Sequence, residues 1–435
     1  MVAFMMALLL CSVATAKIAT VPITILYDKS TATGEAESIS EFAAKYGYQV
    51  ISIPYSTRGT TKAEYEANTK AFAAQKEAAV GRGGVIVISV ENGPIKSIKP
   101  SIIDQFIVRE KSSRDIFKLL RNDTGIMSKA DVYAVFLSVD DMNYCGLPGP
   151  NPNYTWGDLA AIIEQLTACR QLPHNIPDRS GVYRLLSLLM DTLNLNYVTD
   201  EWVHSNEFKW ALSIIDGILS NGIGSISDVS GFLGRAIGPP LPDGTPAIPE
   251  NRTPYMFNYI GNIPSLFSSS SPNATYNGPL DWIVLPLPKG PNGLRPRGLL
   301  NIQSWTVEEG PYATYAWEFM RWIMIGEGRQ FFLNSYPYSL TAPLLAGYKP
   351  AIHSDLVQKG IMDALNAAHQ MQTESYKTAV QLSTRSYYEW DPAFIITDSV
   401  LEYITEDIAI DNAIARMAQA LVDKRYELEK MKENQ

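Results

Sequence analysis

"GGVIVISV", residues 83 to 90, is the stretch on which the fold turns. Val85 to Ile88 are all β-branched, Val90 follows Ser89, and Gly84 and Glu91 bound the run. A strand with no polar alternation is buried on both faces, as in parallel sheets covered by helices. Upstream, "VPITILYD" (21 to 28) and "YQVISIPYS" (48 to 56) read as two further strands. Between them, "EAESISEFAAKYG" (35 to 47) has Ile39, Phe42 and Ala43 at helical spacing and Gly47 where a C-cap belongs. A Glu/Ala/Lys-rich helix is predicted from Lys62 to Ala79. Strand, helix, strand, helix, strand is the rhythm of an α/β domain.

A chain of 435 residues with 46% hydrophobic composition can fill the cores of two or three domains. The formal net charge of -9 argues against a nucleic-acid partner, because phosphate binding needs a basic surface that releases counterions. The same balance disfavours anionic membrane surfaces.

From Thr155 to Ser220 the period becomes helical: "TWGDLAAIIEQLTACRQL", "SGVYRLLSLLMDTLNLN" and "NEFKWALSIIDGILSNG". Thr155 with Asp158 three residues on is a near relative of the capping box. An irregular stretch from Ser225 to Pro279 precedes "DWIVLPLPKGPNGLRPRGLLNIQSWTVEEG" (281 to 310), where Pro286 and Pro288 interrupt an apolar strand. A helix over "PYATYAWEFMRWIMIGEGRQFFLNS" and C-terminal helices follow. Trp156, Trp317 and Trp322 are expected in the core.

The first residues, "MVAFMMALLLCSVATAK", are apolar from Val2 to Val13 and then small, so residues 1 to 16 read as a signal peptide cleaved after Ala16, although no basic n-region precedes them. A buried N-terminal strand is the alternative. Leu10 before Cys11 argues against a lipoprotein cysteine. Removal of the leader leaves Cys145 and Cys169, a pair that an exported chain would join; two buried thiols would instead fit a reducing compartment. Asn122, Asn153, Asn251 and Asn273 lie in Asn-x-Ser/Thr triplets, glycosylation candidates if the host modifies exported proteins.

Several stretches together resemble the extracellular solute-binding proteins of ABC importers, of the maltose-binding-protein-like, sugar-binding type. "YTWGDLAAIIEQL" is similar to the family's Pro-Lys-Thr-Trp-Asp-Glu-Leu helix start, and "FLSVDDMNYCGL" to the Tyr-Asn-Lys-Asp segment before it. "LDWIVLPLPKGPNG" resembles its strand ending in Pro-Leu-Pro-Lys-Gly, "YATYAWEFMRWIMIGEGRQFFL" its Ala-Trp-Glu-Phe helix, and "IAIDNAIARMAQALVDKR" its C-terminal helix. The five occur in the family's order. Two departures stand out: Gly83-Gly84 replaces the common Pro-Asp before the third strand, and "NYIGNIPSLF" lacks the tryptophan that often follows the second-lobe glycine.

The resemblance implies an α/β, two-lobed periplasmic-binding-protein-like fold, each lobe a mixed sheet flanked by helices, with ligand in a cleft between lobes. Crossings are expected near Val135, near Pro286 and near Tyr336 to Tyr338. The lobes are then 17 to 135 plus 286 to 337, and 136 to 285 plus 338 to 435.

By the same resemblance, the loop after the first strand offers Asp28 and Lys29, and "SVENG" offers Glu91 and Asn92. Tyr259 and Asn262 flank Gly261 in the second-lobe loop, Tyr338 lies in the third crossing, and "RSYYEWDP" supplies Arg385, Tyr388 and Trp390. Trp305 either stacks on a sugar ring or belongs to the core. Carboxylates, amides and arginines suit hydroxyl rims, and aromatic rings suit sugar faces.

Enzyme readings find less support. The four histidines are scattered, and no nucleophile elbow or phosphate loop is present. Asp140 with Asp141, or Glu308 with Glu309, could be nominated as a glycosidase pair, but adjacent acids usually mark a solvated surface. The expectation is an exported monomer, extracellular or periplasmic, without enzyme activity, cofactor or metal. It would bind a sugar or oligosaccharide and deliver it to a transporter permease. Another polar solute, such as a peptide or polyol, and a surface structural protein are the alternatives.

Overall fold

The computed structural model describes residues 21–28, 33–56, 62–91, 102–121, 125–151, 153–171, 179–193, 200–220, 235–236, 249–250, 254–262, 282–296, 298–344, 348, 359–368, 392–406 and 408–433. The chain divides into two compact units. The first is Met1–Glu91, Ile95–Ala130 and Asn301–Lys349; the second is Asn92–Pro94, Asp131–Leu300 and Pro350–Gln435.

The first unit opens with β1 (Ile23–Asp28), α1 (Thr33–Ala44), β2 (Val50–Tyr55), α2 (Lys62–Val80) and β3 (Gly84–Glu91). α3 (Ile102–Arg109) and α4 (Arg114–Leu120) lead to β4 (Ile126–Ser138), which passes into the second unit between Ala130 and Asp131. The second unit holds α5 (Val139–Tyr144), α6 (Trp156–Arg170), α7 (Arg179–Thr192), α8 (Asp200–Val203) and α9 (Asn206–Leu219). After the short pair β5 (Arg235–Ala236) and β6 (Pro249–Glu250) come β7 (Tyr255–Tyr259) and β8 (Trp282–Pro286). β9 (Leu299–Val307) returns to the first unit, which α10 (Ala313–Met324) and α11 (Gln330–Ser335) complete. α12 (359–368), α13 (Pro392–Glu406) and α14 (Ile410–Glu433) end the second unit.

In the first unit β1 lies between β2 and β3, parallel to both, and β3 pairs antiparallel with β9. The β-branched run is buried: Val85, Ile86, Val87 and Ile88 are all inside, opposite Thr24 to Tyr27 of β1. Gly84 is required by close approach, since a Cβ there would stand 2.9 Å from the Ala316 nitrogen of α10. β2 is the edge, and its Ile51 is exposed. Trp317 on α10 is buried as expected, while Trp322 is half-buried and packs with Phe42, Tyr46 and Tyr48.

In the second unit β4 pairs antiparallel with β7 on one side and β8 on the other, with Val135 opposite both Phe257 and Leu285. The core gathers Leu159 and Ile163 of α6, Leu189 of α7, Phe208 and Ile215 of α9, and Met417 of α14. Burying one such side chain contributes about 1.5–3 kcal/mol. Trp156 is fully buried, and its indole N–H donates to Thr192 Oγ1 at 3.1 Å. The capping box forms as read: Thr155 Oγ1 accepts from the Asp158 N–H, and the Asp158 carboxylate accepts from the Thr155 N–H. Cys145 and Cys169 form a disulfide joining the end of α5 to α6. Beside it, Arg170 and Asp141 make a buried ion pair at 2.9 Å.

Pro286 ends β8 inside the second unit, opposite Ala134, where its carbonyl accepts from the Tyr154 hydroxyl at 2.7 Å. The Arg295 guanidinium donates to the Leu287 carbonyl, which fastens the proline-rich turn. The chain passes between units further on, between Leu300 and Asn301. Among the described residues no helix is long and apolar enough to cross a membrane.

Candidate ligand-binding site

The chain leaves β1 for β2 on one side and later reaches β3 on the other. Ligands of open α/β sheets bind at such a switch point, outside the carboxyl ends of the strands. Asp28 and Glu91 end β1 and β3 there. β9 begins at the same edge, with Ile302 opposite Glu91 and Gln303 opposite Val90.

Glu35, the third residue of α1, brings a carboxyl group beside Gln303, Tyr336 and Lys129. Its Oε1 is sealed from solvent and completes no hydrogen bond. Burial pushes the Glu35 carboxyl above the usual carboxylate range; the Tyr336 hydroxyl, the Lys129 charge and the Gln303 amide oppose that rise without cancelling it. The Lys129 ammonium lies 4.4 Å from the centre of the Tyr336 ring, a cation–π contact. Gln303 is 2% exposed, and its amide, though near enough to favour the Glu35 carboxylate, falls short of hydrogen-bond geometry.

The turn after α11 is fastened to β4 immediately before the chain leaves the first unit. Ser339 Oγ accepts from the Ala130 N–H at 3.0 Å, Thr341 Oγ1 donates to the Ser128 carbonyl at 2.9 Å, and the Leu340 N–H donates to the Ala130 carbonyl at 3.0 Å. This stitching fixes where Lys129 and Tyr336 stand.

The second unit carries its own polar group on β4. Asp131 is half-buried, and a Cβ at Gly261 would lie 3.8 Å from its Oδ1. Asn258, on β7 opposite Ala134, is buried. Tyr259 ends β7, and Asn262 closes the turn Ile260–Asn262.

The residues singled out by sequence divide accordingly. Asp28 is half-buried at the strand edge, and Glu91 is placed by its backbone at the neighbouring strand end. Trp305 is a core residue: it is fully buried, its ring edge-on to Phe332 at 5.6 Å, so no face is open for stacking. Tyr338 is also buried, and burial raises its hydroxyl pKa. Asn153 is exposed just before α6. Lys29, Asn92, Arg385, Tyr388, Trp390, Asn122, Asn251, Asn273 and residues 1 to 16 with Cys11 lie outside the described residues.

Glu35, Lys129, Asp131, Gln303 and Tyr336 were not singled out by sequence. The one signal for Gln303 was its spacing, since Gln303 and Trp305 share a face of β9 by strand alternation. The acids nominated as a catalytic pair are engaged elsewhere: Asp141 with Arg170, and Glu308 with Lys76 at 3.0 Å. Among the described residues no three His, Cys, Asp or Glu side chains gather as metal ligands would.

No protein-family profile matches the sequence, and no curated protein matches it. Solved structures do. A sugar transporter from Rhizobium etli in an open conformation is similar over 92% of this chain and 98% of its own, with 11% identity and a TM-score of 0.54. The sugar-binding protein MalE of Xanthomonas citri is similar over 94% and 99%, with 14% identity and a TM-score of 0.54. Apo RafE of Streptococcus pneumoniae is similar over 93% and 98%, with 13% identity and a TM-score of 0.52. At such identities the likeness shows the fold: a mixed α/β architecture shared, nearly end to end, with these proteins.

Proposed function

We propose that the chain is the solute-capturing subunit of an ABC importer, exported by its first 16 residues and specific for a sugar or oligosaccharide. The observation that carries this reading is the gathering of Glu35, Lys129, Gln303 and Tyr336 beside the carboxyl ends of β1 and β3. It stands in a fold shared with proteins named as a sugar transporter and a sugar-binding protein. Hydroxyl-rich ligands are recognised by such a mixture, because carboxylates accept, ammonium groups donate and amides do both.

Asp28, Lys29, Glu91, Asn92, Tyr259, Asn262, Arg385 and Trp390 remain proposed contacts from the same reading. Ligand would favour the conformation that a membrane permease recognises, since a ligand shifts an equilibrium only by its differential affinity for the two states. The protein would perform no chemistry on its cargo. Asn153 would carry glycan in a host that modifies exported chains.

A thermal-shift screen of residues 17 to 435 against monosaccharides, oligosaccharides, polyols and peptides tests the reading. A ligand at one hundred times its dissociation constant stabilises by about 2.7 kcal/mol. A shift confined to one sugar class supports the proposal and fixes the class. A shift with peptides or polyols alone overturns the sugar assignment, and silence throughout overturns the binding function.

A further inference from the structure

A cavity of about 360 Å³ lies on the first unit and shares no residue with the candidate site. α3 and the turn after it supply Phe106, Arg109, Glu110 and Lys111; α10 supplies Trp317, Glu318 and Arg321. Phe106 and Trp317 stack, with ring centres 5.3 Å apart and planes 11° apart. The Trp317 indole N–H donates to Glu110 Oε1 at 3.1 Å, and the Glu110 side chain is only 9% exposed.

The cations here are under-used. Arg321 stands 3.7 Å from Glu110 Oε2 and 3.7 Å from Glu318 Oε2. Charge-assisted N–H···O bonds run at about 2.7–2.9 Å, so neither contact engages the guanidinium fully. Arg109 and Lys111 are exposed and have no ion-pair partner among the described residues. Three cations therefore face two carboxylates, one of which already accepts from Trp317. On a chain of net charge -9, this is a local reversal of sign.

We propose that this cavity is a second binding site, taking a small organic carboxylate on the Arg321 guanidinium. The planar guanidinium fork matches a carboxylate in bidentate fashion. Arg109 and Lys111 add long-range attraction, and the Phe106 and Trp317 rings give the carbon skeleton an apolar wall. The volume is at the small end for ligand pockets, about 300–1,000 Å³, which favours a compact acid. The site stands independently of the proposed transport role, because it uses other residues and another ligand chemistry.

The test follows the Trp317 indole N–H by NMR in the full chain, the signal being assigned by its loss in Trp317→Phe. Succinate and inorganic phosphate are titrated separately at constant ionic strength, with chloride as the control. The signal should move saturably with succinate and not with chloride. Arg321→Gln should weaken succinate binding about tenfold, the loss of one charge-assisted contact. Glu318→Gln, which removes a competing carboxylate from a half-buried position, should tighten it. No movement with succinate, movement unchanged in Arg321→Gln, or a response to phosphate alone overturns the proposal.

Discussion

Lys129 holds its ammonium 4.4 Å from the centre of the Tyr336 ring while its charge acts on the buried Glu35 carboxyl. Lys129 lies one residue before the point where β4 leaves the first unit, and Tyr336 directly follows α11. Three distant stretches of sequence thus present an acid, a base and a phenol together. A polar ligand at this edge would find donors and acceptors already placed.

Lys129→Met keeps the side-chain length and removes the charge. The variant should lose about tenfold in affinity for whichever sugar stabilises the wild type, as expected for one hydrogen bond to a charged group. Titration calorimetry checks this. Unchanged affinity would remove Lys129 from the ligand contacts.

Glu35 should make stability fall as pH rises. Its folded pKa is raised by burial, so its contribution is fully present below the unfolded value of about 4.3 and is lost as pH climbs through the folded value. Glu35→Gln lacks that loss. The variant's melting temperature relative to wild type should therefore increase from pH 4 towards neutrality, on the order of a few degrees. A constant difference across the range would rule out titration of Glu35.

Arg170→Met should leave the Asp141 carboxylate, which is 0% exposed, without its partner. Breaking a buried pair from one side costs about 3–5 kcal/mol. Adding Asp141→Leu should restore much of this, because an apolar pair needs no compensation. Denaturant midpoints of the single and double variants decide it.

The Cys145–Cys169 bridge closes a loop with a sequence separation of 24. Chain-entropy arguments give such a loop about 3.5 kcal/mol of stabilisation. Reductant should lower the second unit's unfolding midpoint, and mass spectrometry without reductant should find the two cysteine peptides joined. Full alkylation of both thiols in the native, unreduced protein would contradict the bridge.

Thr155→Ala should cost about 1 kcal/mol through loss of the α6 cap. Hydrogen bonds from the Thr155 N–H and hydroxyl hold the Asp158 carboxyl below its usual range. A depressed carboxylate stabilises above its unfolded pKa and ceases to do so as pH falls through its folded one. The Thr155→Ala penalty should therefore shrink below about pH 4, read from unfolding curves at acid and neutral pH.

What was legible in the sequence was local. Val85 to Ile88 announced a doubly buried strand because β-branched residues without polar alternation leave no face for solvent. Thr155 and Asp158 announced the start of α6 because both halves of the cap lie within one turn. Cys145 and Cys169 could be read as a bridge or as two buried thiols, and the structure joins them.

Trp305 shows where that legibility ends. A tryptophan two residues past a glutamine suits a sugar platform or a core equally well, and only the placing of Phe332 against it assigns it to the core. Tertiary packing likewise brings Glu35 of α1, Lys129 of β4, Gln303 of β9 and Tyr336 together. Sequence alone marked the β1–β3 strands, their intervening helices and the start of α6, because hydrogen bonds and side-chain period act over a few residues; α3, α4, β4 and β7 emerged only in the structure. Tertiary structure decided which polar groups meet, because that depends on how segments more than 200 residues apart pair and pack, and no local pattern encodes it.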